Sequence, residues 1–322
     1  MKNNDKKEYT ALNNSDQTSN KALSTQITQQ ETAFSYIVAI VFILTMVAIS
    51  IMLNDREIIL PEIAAMAIAI WVYREAGWVR RPAIIFVAPS ATAAIGFAVN
   101  QLHLAYLGKV SLTLVLMMLF LRLIQSNFAP SIATGLLPLV TNATEWTFMA
   151  SVCIFSFILM LGVLVFRFNK GLEKRVNIEY KYMLVFLVLN FAWMGLCIIA
   201  GYPQLSVIPP ILVVVYESLQ KPMYSRKMAI KQCLVLTVSA TVGTMLYFTI
   251  PWGIVVALLD MLLMLILLHI VGIRVPAVYA FPLLPFVFPK EIAVMLPISA
   301  LLASVFLFGS VWMYKSYEAR QR

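Results

Sequence analysis

Charge is scarce in this sequence. Only 12% of its residues are Asp, Glu, Lys or Arg, about half the share of a soluble domain, so the chain has too little polar surface to face water on every side. Histidine is scarcer still. His103 and His269 lie far apart with no ligand cluster around either, and no metal site is expected. The three cysteines, Cys153, Cys197 and Cys233, sit inside apolar segments, as buried thiols do, and give no disulfide framework. Phosphate loops of the G-x-x-x-x-G-K-[ST] form, H-E-x-x-H pairs and nucleophile elbows are missing too. Those absences argue against ATP-driven transport by this chain and against an enzyme of those types. No cofactor is expected.

What is present is hydrophobic length. Hydrophobic residues make up 61% of the 322, in runs such as Phe34–Leu53 and Ala293–Tyr314. A helix rises ~1.5 Å per residue, so about 20 residues cross the ~30 Å hydrocarbon layer. The runs are continuous rather than alternating, which selects helices over a barrel. The fold class is all-α: a polytopic transmembrane helical bundle in a lipid bilayer. The net charge of +9 does not point to nucleic acid, because the basic residues fall in short loops between apolar runs.

Twelve segments are expected, at about 34–53, 58–72, 83–99, 104–123, 128–143, 148–166, 182–200, 205–219, 228–248, 252–271, 275–288 and 293–314. The second, fifth, eighth and eleventh are short and proline-bearing, in the manner of broken or re-entrant helices. Residues 1–33, rich in Asn, Gln, Ser, Thr and Lys, are expected to form a disordered tail. A first repeat then covers 34–168, a basic linker 169–181, a second repeat 182–314 and a short basic tail 315–322. With the N-terminus inside, alternate loops hold Arg74, Arg80 and Arg81; Arg122; Lys170 to Lys181; Lys221 to Lys231; Arg274; and Lys315 to Arg322. The opposite loops carry little positive charge. The positive-inside rule therefore places both termini in the cytoplasm, with the plasma membrane as the expected location.

A shift of about 147 residues overlays the two halves. Ile95-Gly96 falls on Val242-Gly243, Thr113 on Asp260, Arg122 on His269, and Leu136-Leu137-Pro138 on Leu283-Leu284-Pro285. One residue of slip pairs Pro61 with Pro209 and Pro130 with Pro276. Prolines and glycines matched in order are weightier than matched leucines, because each interrupts helix geometry. Two tandem six-segment repeats in parallel orientation would be related by an axis along the membrane normal.

This pattern of Pro turn, small-residue helix ending in Ile/Val-Gly, and Pro-small element before Leu-Leu-Pro resembles the HPP family of integral membrane proteins. The likeness covers roughly 58–140 and 205–288. Where that family shows His-Pro-Pro-Ala, this chain reads Phe128-Ala129-Pro130-Ser131 and Arg274-Val275-Pro276-Ala277. The resemblance implies transport of a small anion of the nitrite kind. A weaker similarity, resting on Val242-Gly243-Thr244, is to fusaric-acid-resistance exporters.

Asp260 is a lone carboxylate near the middle of the tenth segment, where an acid costs at least ~2.5–3.5 kcal/mol. It reads either as a proton-coupling residue or as a hydrogen-bonded structural acid. Pro130, Pro138, Pro276, Pro282 and Pro285 delete N–H groups, and interior prolines free carbonyls one turn back. Such backbone must line protein or a wet cavity, and each new half-helix offers a positive dipole end to an anion. Ser131, Thr134, Gly135 and Tyr279 lie between the breaks and complete the candidate substrate path; simple packed kinks are the alternative. Glu62 and Glu217, near segment ends, are expected to be solvated. Lys109 should snorkel, His269 and Arg122 should anchor at the interface, and Asn190 should bond a neighbouring helix. The functional expectation is a transporter or channel for a small solute, an anion moved with a proton. The rivals are an intramembrane enzyme for a lipid or isoprenoid and a membrane scaffold; a homo-oligomer is left open.

Overall fold

The computed structural model describes residues 29–173 and 178–321. Residues 1–28 of the expected tail, with Lys174 and Arg175 of the linker, lie outside it. Among the described residues there are helices and turns but no strand. The first helix, α1 (Gln29–Leu53), starts inside the expected tail, so residues 29–33 are helical. Chain order continues with α2 (Pro61–Ala67), which widens into a π turn (Ile68–Val72), then α3 (Ala76–Val79), α4 (Pro82–Asn100), α5 (Tyr106–Leu123), α6 (Pro130–Thr141) and α7 (Trp146–Val165). The second half holds α8 (Lys181–Ile199), α9 (Pro209–Gln220), α10 (Arg226–Thr249) and α11 (Gly253–Val271). A broken element follows, with 3-10 turns at Pro276–Tyr279 and Phe281–Leu283 and a short α12 (Leu284–Val287), before α13 (Lys290–Gln321).

Eight of these helices are long and apolar enough to cross a membrane. They are α1, α4, α5, α7, α8, α10, α11 and α13. Their outward faces are as oily as the core: Val41, Leu119, Leu263 and Val305 are exposed in mid-helix, an apolar surface that lipid covers and water would not. The other four expected segments exist as shorter elements. Both α6 and α9 have 12 residues, about 18 Å at ~1.5 Å per residue, too short to span alone. Long, short, long, long, short, long is the order in each half.

Each short element opens on proline: Pro61, Pro130, Pro209 and Pro276. Proline suits a first helical position, where its missing N–H has no intrahelical partner to lose. Interior prolines need compensation, and serine and threonine on α10 supply it. Pro282 cannot donate to the carbonyl four residues back, that of Val278; the Ser239 hydroxyl donates to it instead at 2.6 Å. Pro297 in α13 leaves the Ala293 carbonyl free, and the Thr244 hydroxyl reaches it at 3.5 Å. Lipid offers no donor for such groups, so the bundle must.

Glycine sets how closely the layers approach. A Cβ on Gly96 in α4 would overlap the Gly135 carbonyl of α6. A Cβ on Gly243 in α10 would overlap the Pro282 backbone. The two contacts join residues related by the same shift of 147. Across the halves α1 packs on α11 and α5 on α8, while α6 meets α9 and α2 meets the Pro276–Tyr279 turn.

Loop-side charges are used for capping. Lys109 donates to the Asn100 carbonyl (2.6 Å) at the end of α4, rather than only snorkelling. Lys231 does the same for the Val271 carbonyl (2.6 Å) of α11. The Glu57 carboxylate accepts the N–H groups of Thr144 (3.0 Å) and Glu145 (3.1 Å) ahead of α7. Asn190 differs from expectation: its amide donates to Phe186 of its own helix at 2.7 Å.

Candidate functional site

The opening prolines of all four short elements border one small cavity. Pro61, Glu62 and Ala65 come from α2, and Pro130, Ala133 and Leu137 from α6. Pro209, Pro210, Val213 and Glu217 come from α9, and Pro276, Ala277, Ala280 and Leu284 from the broken element. These positions repeat at three, four and eight residues, so each element turns one helical face inward. The space open to a water's centre is ≈ 20 Å³, room for about one water. Trp78 closes one wall, edge-on to Phe128 at 5.4 Å between centroids.

Glu62 is the chemical centre of this cavity. It is 4% exposed, and its Oε1 has no hydrogen-bond partner. The expectation that it is solvated is overturned: α2 begins deep in the protein, because the chain runs extended through Leu60 before Pro61 starts the helix. Glu217, also expected in water, faces the same cavity and is only partly exposed. No Lys, Arg or His borders the cavity among the described residues.

Backbone donors are equally sparse. Pro61, Pro130, Pro209, Pro210 and Pro276 carry no N–H. Neighbouring N–H groups are already committed: Ile63 to Leu60, Ile132 to Ala129, Ile211 to Ile208 and Val278 to Val275. An anion therefore finds dipole ends here but few free donors, beside two acids.

Beyond Glu217 the lining leads to a charged face. Lys221 and Glu75 lie within electrostatic reach of Glu217. Glu75, in the loop before α3, is held above the usual carboxylate range by burial, against the pull of Lys221, Arg274 and Arg80.

Among the candidate path residues, only Pro130 and Pro276 reach the cavity. Ser131 is buried and donates to the Phe128 carbonyl at 2.5 Å. Thr134 is buried against Thr92, their hydroxyls 3.0 Å apart. Gly135 and Pro138 form the seam with Gly96. Pro282 packs on Gly243, and Pro285 is buried in α12. Tyr279 is buried with its hydroxyl grouped with those of Tyr36 and Tyr73, and does not border the cavity.

Asp260 stands apart. It is fully buried on the inner face of α11, with both oxygens unpartnered, and it does not line the cavity. Thr113, its counterpart under the 147-residue shift, is likewise buried with an unpartnered hydroxyl. In the sequence Glu62 stands out as the one charge between Glu57 and Arg74.

No protein-family model, curated protein or solved structure matches this chain.

Proposed function

We propose that this chain is a secondary transporter for a small solute, without an enzymatic step, built from two tandem six-segment copies. The observation that carries the reading is the meeting of four proline-led half-elements at one cavity holding a buried acid. Half-helices that start inside the membrane at a repeat interface are a recurring transporter design. Duplication is supported by the repeated element order and by the paired contacts Gly96–Gly135 and Gly243–Pro282. In this reading residues 58–140 and 205–288 superpose by rotation about the membrane normal, as the HPP resemblance also implies. The asymmetry of the loop charges supports a reading with both termini on the cytoplasmic side of a plasma membrane.

The HPP likeness points to a nitrite-like anion, and proton coupling is part of the proposal. Coupling reconciles an anion with the acids at the cavity, because a protonated carboxyl does not repel it. The scaffold reading leaves a buried unpaired acid without a purpose. The enzyme reading requires a cavity that admits a lipid, far larger than one water. Purified protein in liposomes, offered nitrite, nitrate, formate, chloride and small amines with and without a pH gradient, tests the proposal. Accumulation of one of them driven by the gradient is the expected result. Flux equal to empty liposomes across the whole panel would end the transporter reading.

A further inference from the structure

Resting on that reading, we infer that the charge handled by the central cavity is a proton, carried by Glu62 and exchanged with the basic face through Glu217. The argument begins with what an unpaired buried carboxyl requires. Burying an ion without a counter-charge is very costly, and no charged group stands beside Glu62. Among the described residues the cavity lining holds a second acid, Glu217, but no cation, so no protein group there neutralises Glu62. An anion cannot provide the counter-charge, and the cavity walls are otherwise proline, alanine, valine, leucine and tryptophan carbon. A hard metal cation takes six or more oxygen ligands as a rule, and carbon walls with two carboxyls and about one water do not supply them. A proton needs one carboxyl oxygen and one water to reach it.

The surroundings give that proton a single polar direction. Elements packed on α2 bring the titratable groups Glu31 and Tyr36 of α1, Cys153 of α7 and Tyr279 of the Pro276 turn, and α6 brings none. Of the acids, only Glu217 shares the cavity. Glu217 is in turn within reach of Lys221 and Glu75, and Glu75 of Arg80 and Arg274. A proton arriving at the basic face passes to Glu217, then through a cavity water to the Glu62 carboxylate. Only O–H bonds are made and broken, and the carboxylate left on Glu217 is reprotonated from the charged face.

Infrared spectroscopy on the full-length protein in a lipid film reads this proton without any substrate. The wild-type spectrum should contain a carboxylic-acid carbonyl band that shifts in D2O and fades as pH rises. Glu62→Gln should remove that component, and Asp260→Asn assigns any second buried acid. Glu217→Gln should keep the Glu62 band while slowing its exchange with D2O. Should the Gln variant at 62 fail to fold, Glu62→Asp replaces it; a displaced band supports the assignment and an unchanged spectrum refutes it. An identical spectrum for wild type and Glu62→Gln overturns the proposal. So does loss of the Glu62 band on adding sodium or potassium at fixed pH, which would mark a metal-cation site. A Glu62 band in a protein that moves no solute keeps the proton site and ends the transporter reading; solute flux without the band does the reverse.

Discussion

The clearest contrast in the molecule lies between α6 and its counterpart Pro276–Val287. Both are 12-residue elements opening on proline, and both press on a glycine of the long helix two before them, α4 and α10 respectively. Yet α6 is one continuous helix, and the counterpart falls into two 3-10 turns and a helical fragment. The difference lies at one pair of positions. Gly135 in α6 keeps its N–H and lets Gly96 approach its carbonyl. Pro282 at the equivalent place has no N–H, so the ladder stops and Ser239 must serve Val278. Pro138 lies inside α6 without breaking it, so it is Pro282, midway along the element, that goes with the break and with the Ser239 donor.

The strongest way to break the comparison is to fill both seams. Gly96→Val drives a side chain into the Gly135 carbonyl, and Gly243→Val drives one into the Pro282 backbone. Backbone cannot step aside cheaply, so each should cost about 3 kcal/mol or more, the upper end for overpacking. Thermal midpoints and monodispersity in detergent report it. A wild-type midpoint for either variant would mean the seam is not a close contact.

Next in size is the serine. Ser239→Ala leaves a buried carbonyl without its donor and should cost about 1–3 kcal/mol. Pro282→Gly restores an N–H that can reach Val278, so the alanine should cost less in that background. Equal costs in a double-mutant cycle would show that the proline does not create the need for the serine.

Sequence pattern carried most of the fold. Eight helices long and apolar enough to cross a membrane and four short elements lie close to the expected boundaries, because charge and proline mark the ends of apolar runs. The exceptions are α1, which starts at Gln29, and α13, which runs on to Gln321 through the expected tail. The site was less legible. Asp260 is conspicuous as a mid-helix acid, while the nearness of Glu62 to a segment end points to solvent. Only the extended stretch Ile59–Leu60 puts that end inside the protein, and apolar pattern alone does not tell extended chain from helix in so short a run. The four prolines converge through contacts between halves, which local sequence does not encode.

A smaller effect sharpens the comparison at the paired polar positions. Thr113→Val removes an unpartnered buried hydroxyl at constant shape and should stabilise by about 1 kcal/mol. Asp260→Asn should fold normally and still accumulate solute under a pH gradient, because Glu62 carries the proton. Loss of accumulation in the Asn variant, with Glu62→Gln still active, would transfer that role to Asp260. The smallest change is expected at the surface. Glu57→Gln weakens two bonds to backbone N–H groups in a partly exposed loop, and less than about 1 kcal/mol should be lost.

The cavity's composition has a mechanical consequence. The hydrogen bonds Thr92–Thr134, Ser239–Val278 and Thr244–Ala293 each tie elements within one half. Where the halves meet around the cavity, the facing surfaces are mainly proline, alanine, valine and leucine. Such surfaces offer few directional bonds to break. The polar links between the halves lie beside the cavity, among the Tyr36, Tyr73 and Tyr279 hydroxyls and where Arg274 covers the Tyr73 ring. In the proposed transporter, a tilt of one half against the other would keep each half's own fastenings and load only those few tyrosine and arginine links.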